Sequence, residues 1–156
     1  MLLIQQYGLL GFFLASIISN ATIILPIPID IAVFFSSPLF NPFLLALAVG
    51  LGAGIGEMTG YLIGRGIIKG AELAEHKKRF KSIEKIQQKI SKWGALFIFL
   101  IAVTPFPFDI VGIASGMIKY SWWKVWLAVT CGKVIRVLFI ALAGYYGLPY
   151  FIQFFT

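Results

Sequence analysis

The chain has 156 residues, 60% of them hydrophobic and 12% charged, with a formal net charge of +7. A soluble domain averages about 45–50% apolar and about 25% charged, so the composition excludes an ordinary soluble globule and points to a membrane protein. Of the thirteen Lys and Arg residues, all but Lys119, Lys124, Lys133 and Arg136 lie between Arg65 and Lys92. The positive balance is therefore one segment rather than a basic surface, which argues against nucleic-acid binding.

Residues 2–25 are apolar apart from Gln5, Gln6, Ser16, Ser19, Asn20 and Thr22. At about 1.5 Å per residue, a helix here reaches across, or most of the way across, a bilayer core of about 30 Å. The run lacks the positive n-region of a signal peptide and is read as part of the mature protein. Pro26 and Pro28 then break it, because proline lacks the N–H that a helix needs. Residues 29–40, which begin Ile29-Asp30, are too short to span. A re-entrant hairpin is the simplest expectation, with a half-helix returning to the side it entered from.

Residues 43–64 are long enough to span. They carry Gly52, Gly56, Gly60 and Gly64 in a strict ladder that makes one smooth helix face for close backbone packing. The ladder can serve packing within one chain or between two, so a homo-oligomer stays open. Glu57, Tyr61 and Arg65 form a second stripe at i, i+4 spacing. Glu57 lies deep in the span, while Arg65 near its end can snorkel.

Residues 70–92 set Leu73, Phe80, Ile83, Ile86 and Ile90 at helical spacing among lysines and Arg79. This pattern predicts a basic amphipathic helix, either lying on the membrane surface or solvated as a connector. The positive-inside rule makes it cytoplasmic. Residues 94–104 are apolar but only half a membrane long. Pro105-Phe106-Pro107-Phe108-Asp109 repeats the earlier Pro-x-Pro-x-Asp break, and Ile110–Ile118 returns. Lys119, Trp122, Trp123, Lys124 and Trp126 mark an interface. Residues 122–147 form the last full span, with Lys133 and Arg136 three apart on one face, and Gly144 to Pro149 end it.

The halves match in order: Pro26-x-Pro28-x-Asp30 and a span containing Gly56-Glu57, then Pro105-x-Pro107-x-Asp109 and a span containing Gly132-Lys133. The expected fold is an all-α polytopic membrane protein built as an inverted repeat. Each repeat is a re-entrant hairpin followed by a full span. Repeat one covers about 2–68, the basic connector about 69–92, repeat two about 93–148 and a short tail 149–156. The first hairpin enters from outside and the second from inside, with both termini outside; a full span over 2–25 moves the N-terminus inside. Inverted repeats with broken helices near the midplane are the plan of many secondary transporters.

At these motifs the chain resembles a known family. Gly56-Glu57-Met58-Thr59-Gly60-Tyr61-Leu62-Ile63-Gly64-Arg65 resembles the Gly-(Asp/Glu)-x-x-x-Tyr-x-x-Gly-Arg signature of the DedA/VTT (SNARE-associated Golgi protein) superfamily. Thr104-Pro105-Phe106-Pro107-Phe108-Asp109, with Gly112 and Gly116, is similar to that family's second re-entrant loop. The resemblance runs over roughly residues 20–147. It implies two facing re-entrant loops and movement of lipids across bilayers. Bacterial members are linked to undecaprenyl phosphate recycling and to proton motive force, and eukaryotic members act as phospholipid scramblases. In proton-coupled members, acids occupy the positions matched by Asp30 and Glu57. Members with the fuller bacterial pattern carry arginines around the second loop, whereas this chain has none between Thr104 and Lys119 and carries Asp109 there.

The deep ionisable set is Asp30, Glu57, Asp109, Lys133 and Arg136, with formal charges summing to −1. Such groups inside a membrane either pair structurally or line a transport path. The expected function is a lipid transporter or scramblase for anionic or polyprenyl-phosphate lipids. Lys133 and Arg136, with Arg65 as a further charge partner, would hold the head group. One of Asp30, Glu57 or Asp109 would carry a proton. Asp109 is alternatively the acid that holds Lys133 or Arg136 in place. Two other readings stand beside it: a non-transporting scaffold acting through helix 70–92, and a transporter of a small solute or ion. With one histidine (His76), one cysteine (Cys131) and no nucleophile–base pair, no metal, cofactor or enzymatic activity is expected. The expected partners are membrane lipids and no nucleic acid.

Overall fold

The structure is a computed structural model that describes residues 2–21, 29–73, 93–105 and 108–153. Among these the chain is helical, with no strand. Helix α1 spans Leu2–Ala21, α2 Ile29–Ser36, α3 Pro42–Gly56, α4 Met58–Leu73, α5 Gly94–Val103, α6 Asp109–Met117 and α7 Trp122–Gln153, with a 3-10 turn at Ser37–Leu39 after α2. Pro26, Pro28 and Pro107 lie outside the described residues, as does nearly all of the basic segment expected at 70–92.

Two stretches are long and apolar enough to cross a membrane: Pro42–Ile67, 26 residues, and Trp122–Tyr150, 29 residues. They match the two spans expected from the sequence. The apolar helices Tyr7–Ala21, Ile29–Leu39 and Gly94–Val103 are shorter. Asn41 starts the first span: its side chain accepts from the N–H groups of Phe43 and Leu44, at 3.0 and 3.3 Å, with Pro42 following. That satisfies donors a helix start leaves orphaned, and Pro42 has no N–H to orphan.

The helix over 42–67 is not uninterrupted as expected. It hitches at Glu57, between α3 and α4. Glycine is the weakest ordinary helix former, and four glycines, at 50, 52, 54 and 56, precede the hitch. The Thr59 hydroxyl donates to the Gly56 carbonyl at 2.8 Å, competing for a ladder acceptor. Helix α7 also departs from expectation, because it continues through Pro149 to Gln153. Proline inside a membrane helix is tolerated where surrounding groups take up the freed carbonyl.

Two apolar cores share α7. One gathers Tyr61, Ile98, Ala102, Phe108, Tyr120, Val125 and Val129. The other gathers Val33, Leu45, Val49, Val137 and Ala141. On α7, Lys133 and Arg136 fall between Val129 of the first core and Val137 of the second. Polar side chains are buried beside these cores, Ser16, Ser37, Glu57, Ser115, Thr130 and Lys133 among them, while Leu10, Ile31, Phe35, Leu44, Leu62 and Phe139 are exposed. Large exposed apolar area marks a contact surface, and here it covers the outside of every helix.

Helices α1 and α3 pack together, as do α5 and α7, and α3 packs on α7. Each half-helix docks on the other half of the chain: α2 on α7, and α6 on α4. The α3–α7 crossing is antiparallel. A Cβ built on Gly50 meets Val134, whereas one built on Gly54 meets Thr130, so the register on α7 retreats as that on α3 advances.

Candidate functional site: a buried ionic cluster between two hairpins

The glycine ladder brings the site together, although not as one continuous face for one partner. A Cβ on Gly52 or Gly56 meets α1, at the carbonyls of Phe13 and Ile17. A Cβ on Gly60 or Gly64 meets α6, at Asp109, Gly112 and Ile113. Gly112 and Gly116 return the contact against Glu57, Tyr61 and Arg65. The upper rungs thus seat α1 and the lower rungs seat α6, with Glu57 at the changeover.

Glu57 and Lys133 form a buried ion pair, Oε1 to Nζ, at 2.7 Å. Lys133 Nζ also donates to Asn20 Oδ1 at 3.1 Å. Asn20 is held in turn by its own Nδ2, which donates to the Ser16 carbonyl at 2.8 Å. The Ser16 hydroxyl donates to the Val49 carbonyl at 2.7 Å and locks α1 to α3. A charge in a low-dielectric interior requires such partners, because desolvation otherwise outweighs what burial returns.

One helical turn on, Arg136 makes two contacts, one at the start of α2 and one just after α5. One guanidinium nitrogen pairs with Asp30 Oδ2 in the first turn of α2. The other donates to the Thr104 carbonyl at 3.3 Å, where α5 runs into the second break. This outer pair is more open than the inner one: Arg136 and Asp30 side chains are 19% and 33% exposed, against 10% and 6% for Lys133 and Glu57. Asp30 and Asp109 both sit in the first turn of a half-helix, where the helix dipole favours negative charge.

A family model described as the VTT domain matches residues 27–146. The chain belongs to the VTT-domain family. This is the DedA/SNARE-associated group that the motifs resembled; its members are membrane-associated and commonly linked to transport or lipid flipping. Searches of the curated proteins and of the solved structures find no match.

The matched stretch of this VTT domain takes in Asp30, Glu57, Asp109, Lys133 and Arg136. Four of these five are joined in the two pairs. Asp109 is half-buried and makes no ion pair among the described residues. The expectation that it is the acid holding Lys133 or Arg136 is corrected for this structure: Glu57 and Asp30 hold them, because α3 and α2 pack on α7. Arg65, also expected as a charge partner, makes no ion pair among the described residues. The stripe Glu57–Tyr61–Arg65 divides among partners, with Tyr61 donating its hydroxyl to the Tyr120 carbonyl at 2.6 Å.

Two participants escaped the sequence reading. In the sequence Asn20 stands out only as a polar exception in an apolar run; its i+4 spacing from Ser16 is the signal that marks it. The Thr104 carbonyl is a backbone group, visible in sequence only as the residue before Pro105.

Proposed function

We propose that this VTT-domain protein is a membrane-embedded lipid transporter with scramblase-like action, moving lipids with anionic head groups of the phospholipid or polyprenyl-phosphate type. The observation that carries the proposal is the Arg136–Lys133 step on α7, two cations at mid-length of a candidate span, each held by an acid and graded from open to sealed. A head-group phosphate meets Arg136 first. The phosphate displaces Asp30 from the guanidinium, and protonation of Glu57 frees Lys133 to the phosphate one turn deeper. Proton and anion therefore enter together, and the O–H bond of the carrying carboxyl is the one bond made on entry and broken on release.

The inverted-repeat architecture is part of this reading. Gly56-Glu57 and Gly132-Lys133 occupy matching places in the two halves, and Glu57 touches Lys133. Gly54 and Thr130 have the same sequence separation and also touch. Matching residues of two antiparallel repeats meet each other only on the axis that relates the repeats. The exchange of half-helices, α2 onto α7 and α6 onto α4, supports the same symmetry. Such an axis in the membrane plane places the broken helices and the ionic cluster near the midplane. The first hairpin then opens outside and the second inside.

The test is reconstitution in liposomes with head-group-labelled fluorescent lipid. Lys133→Ala combined with Arg136→Ala is expected to reduce translocation at least tenfold, with the protein still monodisperse. Undiminished translocation by that double variant refutes the head-group assignment. A wild-type rate indifferent to an imposed proton gradient removes the coupling step and leaves passive scrambling.

A further inference from the structure

The two halves carry matching carboxylates but not matching cations. Asp30 and Asp109 occupy the same place in the two Pro-x-Pro-x-Asp breaks. Arg136 stands four residues after Gly132; its counterpart, four residues after Gly56, is Gly60. A Cβ on Gly60 would lie 3.6 Å from the Asp109 carbonyl, so the position that would supply a cation to Asp109 is instead a packing contact. Within the described interior the pairs Asp30–Arg136 and Glu57–Lys133 neutralise each other, leaving the charge of Asp109 unmatched. An unmatched carboxylate at this depth is costly.

Arg136 is placed to serve both acids. It reaches Asp30 on the first hairpin and, with its other nitrogen, the Thr104 carbonyl on the second. Thr104 and Asp109 flank the same break. Asp109 sits on α6 against Gly60, three residues after Glu57 on α4, and Glu57 meets Lys133, three residues before Arg136 on α7. Guanidinium carries five donors in a planar fork on a long stem, so Arg136 can hold an acid and a backbone carbonyl at once and exchange one for another.

We infer that Arg136 is a shared latch: its guanidinium docks on Asp30 in the state described here and on Asp109 in the alternate state, tying the two hairpins to α7 in turn. This inference rests on the inverted-repeat reading of the proposed function. It deepens that reading by naming what selects between the two states. Asp109 is a positioning residue in this scheme, acting through Arg136.

The experiment uses the full chain with Cys131→Ser, in nanodiscs of anionic phospholipid. Nitroxide pairs are placed at exposed sites. Ile31 with Trp122 reports the first hairpin against α7, and Ile110 with Tyr150 reports the second. Asp30→Asn is expected to broaden the first distance distribution and to shift the second to a new, narrower maximum as Arg136 is recruited by Asp109. Asp30→Ser, which keeps a neutral acceptor, replaces it if the amide variant does not fold. Adding Asp109→Asn is expected to abolish the shift, and Arg136→Gln to make the second pair insensitive to Asp30. A second-pair distribution unmoved by neutralising Asp30 overturns the latch, as does a shift that persists when Asp109 is also neutralised. The readout contains no transport step. A shift without lipid movement keeps the latch and removes the cargo, and lipid movement without a shift does the reverse.

Discussion

Lys133 and Arg136 are three residues apart on one helix yet sit in different environments, and the difference predicts different phenotypes. Lys133 is sealed between Glu57 and Asn20, so Glu57→Gln leaves an ammonium buried beside two amides. Removing one partner of a buried pair costs about 3–5 kcal/mol, read as a lowered unfolding midpoint in detergent. Asn20→Ala removes one hydrogen bond to a charged group and should cost about 1.5–3 kcal/mol. Replacing Glu57 and Lys133 together by leucine should restore stability while lipid translocation stays lost. Stability and translocation recovering together would show that the pair is scaffold alone. Of the six groups in the two contact sets around Lys133 and Arg136, the sequence marks the four ionisable side chains and not Asn20 or the Thr104 carbonyl. It could not say which acid meets which base. Asp30 and Arg136 are 106 residues apart, and only the docking of α2 on α7 brings them together. Local pattern does not distinguish Asp109 from Asp30, yet of the two, among the described residues, Asp30 alone pairs with a cation.

Among the elements, the ladder from Gly52 to Gly64 decides how closely helices approach. A Cβ at Gly64 runs into the backbone of Ile113 on α6, whereas one at Gly66 meets nothing within 4 Å. Gly64→Ala should therefore destabilise by about 1–3 kcal/mol, as overpacking does. Gly66→Ala, two residues away, should be neutral or stabilising by up to about 1 kcal/mol through helix propensity. Thermal unfolding of the two purified variants checks the contrast, and equal midpoints would mean that α6 slides freely past α4. The close packing was legible because a glycine every fourth residue has few other physical meanings in an apolar run. Its division between α1 and α6 was not, because a helix face does not state how many neighbours it has. Gly50 and Gly54, which seat α7, were passed over because they fall off the strict ladder.

The described residues set a buried ionic cluster between two apolar cores and turn an apolar exterior outward. The 3-10 turn after α2 lies by the far end of α7, where Pro38, Tyr145, Tyr146, Pro149, Tyr150 and Gln153 line a cavity of about 460 Å3. The turn before α7 lies by α4, through Tyr61 and Tyr120. Under the proposed topology these two ends face opposite sides. In the Cys131→Ser background, Leu39→Cys should react with an impermeant maleimide added outside intact cells. Trp122→Cys should react only after the membrane is opened. Labelling of both from one side contradicts the opposed orientation of the halves. The exchange of half-helices has a consequence for how the protein is made. As the chain leaves the ribosome, α2 is complete long before α7, the surface it docks on, has been synthesised. The first hairpin must therefore wait in the membrane with Asp30 uncompensated until about one hundred more residues follow. Assembly is thus expected to be a late, concerted event, and two fragments divided within the 74–92 connector should recover the fold only when co-expressed.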